Sequence, residues 1–286
     1  MSLVVNTNVS SLNAQRSLTT SSAELKTAME RLSSGKKINS ASDDAAGFAI
    51  AERMTAQIRG LNMAAKNVND GLSMLATIEN ATNDLTGMLH RMRELAVQAI
   101  NDTNSAEDRG YLQLEVDALM EEINRVSSQT QYNGQTVLDG SLEHDGAHHG
   151  VHIQAGTEAG QSVGFSVNSV NNEALGLHDG TNSLIDVSDA TSASDSLALI
   201  TSAIEQVAGD RASYGALQNR LEYTVSNLLN VAEYTTAARS RIADADFAAE
   251  SARLSKAQVL QQSGTAMLAQ ANASSQLAIT LIRSVG

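Results

Sequence analysis

Not one of the 286 residues is proline. Average usage of about 5% would place roughly 14 in a chain this long. Proline removes a backbone N–H and drives its ring into the preceding helical turn, so a chain without it sets no internal limit on helix length. Apolar residues also recur at alternating steps of three and four at both ends of the chain, the spacing of helices that bury one edge. Together the two features predict long helices that seek helical partners, within the chain or among its copies.

Composition narrows the class. Aromatic residues are 3%, tryptophan is absent, and Ala, Ser, Asn, Thr and Gln fill the helical stretches. Small residues let helices approach closely but bury little area each, and stability then requires many contacts in parallel. The absence of cysteine excludes disulfides, thiol catalysis and cysteine-ligated metal. The first basic residue is Arg16 with no short apolar core before it, which predicts no cleavable secretory leader. The longest uncharged run, Ala257 to Ile282, contains 11 Gln, Asn, Ser or Thr residues. A membrane span needs roughly 20 mostly apolar residues, so this run is expected to pack on protein instead.

The net charge of −13 is unevenly placed. Residues 1–125 carry 12 basic and 16 acidic residues, residues 126–210 carry 11 acids and no Lys or Arg, and residues 211–286 carry 7 basic and 5 acidic. The middle therefore reads as an acidic, solvated surface. Nucleic acid is excluded as a partner because phosphate binding needs a basic footprint.

Ala14, Leu18, Ser21, Leu25, Ala28 and Leu32 form the first heptad seam,, closed by Gly35 and the Lys36-Lys37 pair. Ser40 with Asp43, or Ser42, is expected to cap a second helix from about Asp43 to Ile100, roughly 85 Å at 1.5 Å per residue. Its stripe reads Leu61, Ala65, Val68, Leu72, Leu75, then Ile78, Ala81, Leu85, Met88, Met92, Leu95, Ala99. The double three-step at 72–75–78 predicts a local shift of the stripe. Ser105 with Asp108 resembles a capping box for a third helix, and Asn133-Gly134 ends it with a turn. Val151, Ile153, Ala155 and Val163, Phe165, Val167 alternate with other residues, which predicts a small β-hairpin, followed by a polar loop over Asn168–Ser194. Helix returns near Asp195 on a stripe of Leu197, Ile200, Ile204, Val207, Arg211, Tyr214, Gln218, Leu221, Val225, Leu228, Ala232 and Thr235. Arg211 and Gln218 are its polar entries, expected to fix register. After a break near 243–246 a last helix presents Leu254, Ala257, Gln261, Gly264, Leu268, Ala271, Ser275, Ala278 and Ile282.

Several stretches carry a family likeness: Ser33 to Ala51 (SSGKKINSASDDAAGFAIA), Arg93 to Gln98 (RELAVQ), Gln129 to Gly134 (QTQYNG), Ser240 to Glu250 (SRIADADFAAE), Ser255 to Gln262 (SKAQVLQQ) and Leu268 to Asn272 (LAQAN). In this order, and over roughly residues 1–165 and 195–286, the chain resembles bacterial flagellin, in a minimal form without large outer domains. The resemblance implies a mainly α fold, with long antiparallel coiled coils formed by both chain ends and a small β-hairpin region in the middle. Residues 1–42 and 246–286 would form a terminal coiled-coil foot in the inner filament core. Residues 43–245 would form a helical rod with a β-hairpin and loop region at about 135–194. The expected self-assembly seams include Leu18, Leu25, Leu32, Leu254, Leu268 and Ile282, and residues 1–40 and 247–286 are expected to be disordered in the free subunit and helical in the polymer because their seams bury little alone.

The resemblance further implies a secreted, extracellular subunit of a swimming filament, exported by the flagellar type III route. The implied partners are copies of itself, an export chaperone, a filament cap and the hook–filament junction proteins. It also places a surface used in assembly and recognised by the animal Toll-like flagellin receptor at Arg91, Glu94, Leu95 and Gln98, with Leu112 and Glu115 on the next helix. His90 departs from the family's commoner glutamine there, and Ala273 to Ala278 replaces a tail that often contains proline. Plainer readings stand beside these. Arg91 and Glu94 sit at ordinary ion-pair spacing. His144, His148, His149 and His152 read as a solvated loop rather than a metal site, and 168–194 as a solvated loop rather than a glycan acceptor. No nucleophile elbow, P-loop, dinucleotide fingerprint or zinc helix occurs, so neither catalysis nor a cofactor is expected. Two other readings keep the same helical plan: a hook–filament junction protein and a coiled-coil binding module that never polymerises.

Overall fold

A computed structural model describes residues 7–143, 150–180 and 182–285, with side chains through Ser274. Among the described residues five helices carry the fold: α1 (Val9–Ser34), α2 (Ala45–Ile100), α3 (Ala106–Gln129), α4 (Ala190–Ala243) and α5 (Phe247–Val285). Between α3 and α4 lie two small antiparallel pairs. The first joins β1 (Gln131–Tyr132) to β2 (Gln135–Thr136), and the second joins β3 (Val151–Gln154) to β4 (Ser162–Phe165). The chain divides into two compact units, residues 1–58 with 233–286 and residues 59–232. The division falls inside α2 and α4, whereas the sequence placed its boundaries at helix ends, 42/43 and 245/246.

Helix ends follow local chemistry. Gly35 closes α1 in the left-handed region at φ 69°, where a Cβ would be strained. The cap of α2 differs from expectation. Gly47 N–H donates to Asp44 Oδ1 at 2.9 Å, while Asp43 accepts from the Asn39 and Ser40 N–H groups and closes the preceding turn. Ser105 and Asp108 form the expected reciprocal box on α3. Asn133 (φ 51°) and Gly134 (φ 80°) make the two-residue turn between β1 and β2,. Arg109 closes the other end of the 101–105 break by donating to the last-turn carbonyl of Ala99 at 2.8 Å.

The core of the 59–232 unit is organised by one stripe on α2. Leu61, Ala64, Val68, Gly71, Leu75, Ile78, Thr82, Leu85, Leu89, Met92, Ala96 and Ala99 are all buried. These positions alternate steps of three and four without interruption, so the shift expected at 72–75–78 does not occur. Leu72, Ala81 and Met88 flank the seam, half-buried. The true members Gly71 and Thr82 carry no large apolar side chain, and reading only apolar residues therefore loses the register. Gly71 is needed sterically, because a Cβ there would lie 2.1 Å from Ile153 Cδ1 of β3. Eleven residues earlier on the same face, a Cβ on Gly60 would meet Thr157 Cγ2 at 2.7 Å. The hairpin thus lies in two glycine notches, with Ile153 and Val163 pointing into the core.

On α4 the buried positions Ala193, Ser196, Ile200, Ala203, Val207, Tyr214, Leu221, Leu228 and Ala232 share half of the predicted stripe. Of the rest, Leu197 and Ile204 give way to Ser196 and Ala203, one residue earlier, and Arg211, Gln218, Val225 and Thr235 are half-buried at the seam's edge. Arg211 donates through Nε and Nη2 to Glu79 Oε1 of α2 at 3.0 and 2.8 Å, and lies near Thr86 Oγ1 at 3.4 Å. Partial burial raises the cost of removing both charges from water, so this pair specifies register more than it stabilises.

The segment 168–194, expected as a polar solvated loop, keeps many exposed residues but is anchored to the core by an apolar set that the expectation passed over. Val170, Leu175, Leu177, Ile185 and Val187 are buried. Side chains of α3 accept from its backbone: Asn172 N–H donates to Asn124 Oδ1 at 3.1 Å and Val187 N–H to Gln113 Oε1 at 2.7 Å, while the Asn172 side-chain amide donates to the Met120 carbonyl at 2.9 Å. Asp189 then caps α4 through the Thr191 and Ser192 N–H groups.

Two stability outcomes follow. Gly71→Val should destabilise the 59–232 unit by about 1–3 kcal/mol through overpacking against Ile153. Gly87→Ala, where nothing lies within 4 Å, should stabilise it by about 0.5–1 kcal/mol; urea titrations report both. Burial raises the Asp210 carboxyl above the usual carboxylate range, opposed by the Asn168 amide that donates to it at 2.7 Å. An acid raised on folding favours the native state while protonated and loses that contribution as pH rises through its folded value. Asp210→Asn should therefore gain stability relative to wild type above the carboxylate range, with the gap closing on acidification in midpoints measured from pH 3 to 8.

Candidate assembly surfaces

In the unit formed by the two chain ends, α1 and α5 run antiparallel. Asn8 Nδ2 donates to the Ala271 carbonyl at 2.9 Å, and Arg31 Nη1 lies 4.0 Å from Glu250 Oε1. The pairing continues past α1, where Lys37 N–H meets the Ala243 carbonyl at 2.7 Å and Ala245 N–H meets Gly35 at 2.9 Å. Among the described helices no other pair brings its backbones together along its length as this one does, and residue size explains it. Ser21, Ala28 and Ala257 are buried on the seam. A Cβ on Gly264 would lie 3.0 Å from Leu18 Cγ.

Leu18, Leu25, Leu32, Leu254 and Leu268 all fall on this seam, each half-buried. The side chain of Ile282 lies outside the described residues. Glu250, only 5% exposed, is the charged member of the seam and also takes Arg253 at 3.2 Å. The outer flanks expose Val9, Leu12, Met29, Val259, Leu260 and Met267. A helix pair that half-covers its leucines and leaves further aliphatics in water has apolar surface for other partners. These outer residues were legible as apolar positions off the heptad stripe, a signal that following the stripe alone passes over.

The second surface lies on α2 and α3. Arg91 donates to Glu115 Oε1 at 2.7 Å and to Glu94 Oε2 at 3.1 Å. The hydrogen bonds it donates, to Glu115 first and Glu94 second, hold the guanidinium above its ordinary range. All three are exposed, and the cluster is a surface feature that solvent screens. Gln98 is exposed on the last turn of α2 and Leu112 is half-buried. Leu95 departs from the expectation. It is fully buried because its position, beside Met92 and Ala96, turns inward on the core stripe, and it presents nothing to a partner. Tyr111 and Leu114, 63% and 65% exposed on α3, are the large apolar groups that stand outward instead.

Of the histidines, His152 is exposed on β3 opposite Gly164, and His144, His148 and His149 lie outside the described residues. No group of three His, Cys, Asp or Glu side chains that would hold a metal occurs among the described residues. No described helix is long and apolar enough to cross a membrane.

Comparison with known proteins agrees with this architecture. Residues 5–143 match the bacterial flagellin N-terminal helical region and residues 197–282 match the bacterial flagellin C-terminal helical region. The flagellar filament 33 kDa core protein of Treponema phagedenis is 40% identical over 288 residues, spanning 98% of this chain and 100% of the relative. A flagellin of Halalkalibacterium halodurans is 40% identical over 281 residues with the same coverage, and that of Bacillus subtilis is 39% identical over 302 residues, covering 98% of this chain and 99% of the relative.

The closeness of the α1–α5 seam yields a direct expectation. Gly264→Val should push Leu18 aside and separate the pair at a cost of about 1–3 kcal/mol. Limited proteolysis should then cut within α1 and α5 while the 59–232 fragment stays intact.

Proposed function

This chain belongs to the bacterial flagellin family, and from that premise we propose how a single subunit is built to polymerise. It is a structural subunit of the flagellar filament. Residues 1–42 and 246–286 serve as the foot that packs in the inner core of the filament, and residues 43–245 serve as the rod around it. The observation that carries this reading is the α1–α5 pair, whose leucines are half-covered and whose outer flanks expose further aliphatics. Each added neighbour covers a small area, so one contact is weak and the lattice sums many of them.

Export by the flagellar type III route, and an extracellular site of action, fit a chain without disulfides or proline-locked turns that would oppose threading. The same reading names an export chaperone for the carboxy-terminal end, a distal cap and the hook–filament junction proteins as partners. For the animal Toll-like receptor it offers Arg91, Glu94, Gln98, Leu112 and Glu115, without the inward-facing Leu95. Those residues also serve contacts between subunits, so the receptor surface is open in a free subunit and covered in a filament.

Leu268→Asp tests the reading. A carboxylate on the foot's seam should abolish fibres in sedimentation and electron microscopy at concentrations where the unaltered chain polymerises. The thermal midpoint of the 59–232 unit should not move. Protease resistance of α1 and α5 should rise on polymerisation in the unaltered chain and stay at its initial level in the variant. Normal fibres from Leu268→Asp would remove the α1–α5 pair from the assembly interface.

A further inference from the structure

We propose that the groove along α4 centred on Arg220 and Tyr223 receives the acidic stretch 126–210 of a second copy of this chain. The proposal rests on the filament-subunit reading and adds the contact that joins one rod to the next.

Charge sets the problem. Residues 59–232 carry 8 basic and 23 acidic residues, a net −15, whereas the remainder carries 11 basic and 9 acidic, a net +2. Bringing two −15 units side by side is unfavourable unless the meeting faces differ in sign. A helical polymer requires unlike faces anyway, since an open filament grows by head-to-tail contacts in which one patch meets a different patch of the next copy.

Half of the eight basic residues of this unit are held in ion pairs, and Arg59, Lys66, Arg93 and Arg220 take part in none of the described ones. Arg91, Arg109, Arg125 and Arg211 each hold an ion pair with a carboxylate of the same unit. Arg220 is exposed and takes part in none of the described ion pairs. It lines two neighbouring clefts of ≈ 380 Å³ and ≈ 530 Å³, the first with Phe165 and Leu217, the second with Tyr223, Thr224 and Asn227. Tyr223 is 79% exposed. The groove thus combines a cation free to meet a carboxylate, an exposed aromatic and two hydrogen-bonding side chains. Arginine and tyrosine are the residues enriched at protein interfaces and their energetic centres.

The complementary face belongs to the same chain. The stretch 126–210 has 11 acids and no Lys or Arg, and Glu143 and Glu173 line an open cleft with no cation of their own. A small free anion is a poor occupant, because the field of a −15 unit repels it. A second copy held by its other contacts presents its carboxylates at high effective concentration and overcomes that field.

The test uses the full chain. Tyr223 is replaced by the photo-crosslinking residue p-benzoylphenylalanine, the protein is polymerised and irradiated, and the adduct is mapped by mass spectrometry. The expected result is a dimer-sized adduct present in filaments and absent from free chains, joined to residues 126–210 of another copy. Filaments whose adducts map elsewhere, or that give no adduct, overturn the groove while leaving the filament reading intact. Failure of the unaltered chain to polymerise overturns both. In parallel, Arg220→Glu should raise the critical concentration about tenfold at low salt and less at high salt, with Arg220→Lys near the unaltered chain and circular dichroism unchanged in both. Equal critical concentrations for Arg220→Glu and the unaltered chain would also overturn the proposal.

Discussion

An unbroken stripe of buried side chains down α2, from Leu61 to Ala99, is the surface on which the 59–232 unit is assembled. Side chains of α3, α4, the hairpin and the segment 168–187 join it in one apolar cluster. Large aliphatics such as Leu75, Ile78, Leu85 and Leu89 are fully buried, each worth about 1.5–3 kcal/mol,. The small members set geometry. Gly71 and Gly60 admit the hairpin to the helix surface, and Thr82 fills its place by returning its hydroxyl to the Ile78 carbonyl at 2.9 Å. A polar side chain satisfied within its own helix occupies a core position without an orphaned hydroxyl.

The two units solve the packing of helices in opposite ways. In 59–232 large aliphatics are covered within the chain and form one continuous core, while Tyr111, Leu114 and Tyr223 stand outward. In the α1–α5 pair the seam is built from Ser21, Ala28, Ala257 and Gly264, and the backbones close in until the leucines are only half-covered. Such a pair holds together yet keeps apolar area in reserve, which fits the assembly role proposed for it. Division of labour also appears in charge. Most of the acidity lies in one unit, where it opposes unspecific association, and the chain ends are near neutral, where many contacts must add without repulsion,.

Flagellin chemistry is therefore a matter of surfaces rather than of a pocket. The Arg91, Glu94 and Glu115 cluster shows how little of a surface site is fixed by strong interactions: its ion pairs are exposed, and its position on α2 and α3 depends on Met92, Leu95 and Val116 buried beneath it. The exposed carboxylates are placed by the core, and solvent screens their mutual attraction.

Helix existence and helix ends were legible in the sequence because their causes are local. Absence of proline, the three-four rhythm, Gly35 at φ 69° and the Ser105–Asp108 box act over a turn or two, and so does the alternation that makes β3 and β4. The Flagellin-like stretches at both ends identified the family for the same reason, since they are strings of residues. Tertiary structure decided which members of each stripe are core. Gly71, Thr82 and Ser196 are buried because of what packs on them, so an apolar reading of α2 and α4 shifted the register by one residue. Tertiary contacts also folded the Ser- and Asn-rich segment 168–194 onto α3, where Gln113 and Asn124 accept from its backbone and the Met120 carbonyl accepts from the Asn172 side chain. No local pattern encodes those pairings, because each depends on residues dozens of positions apart meeting across a shared core.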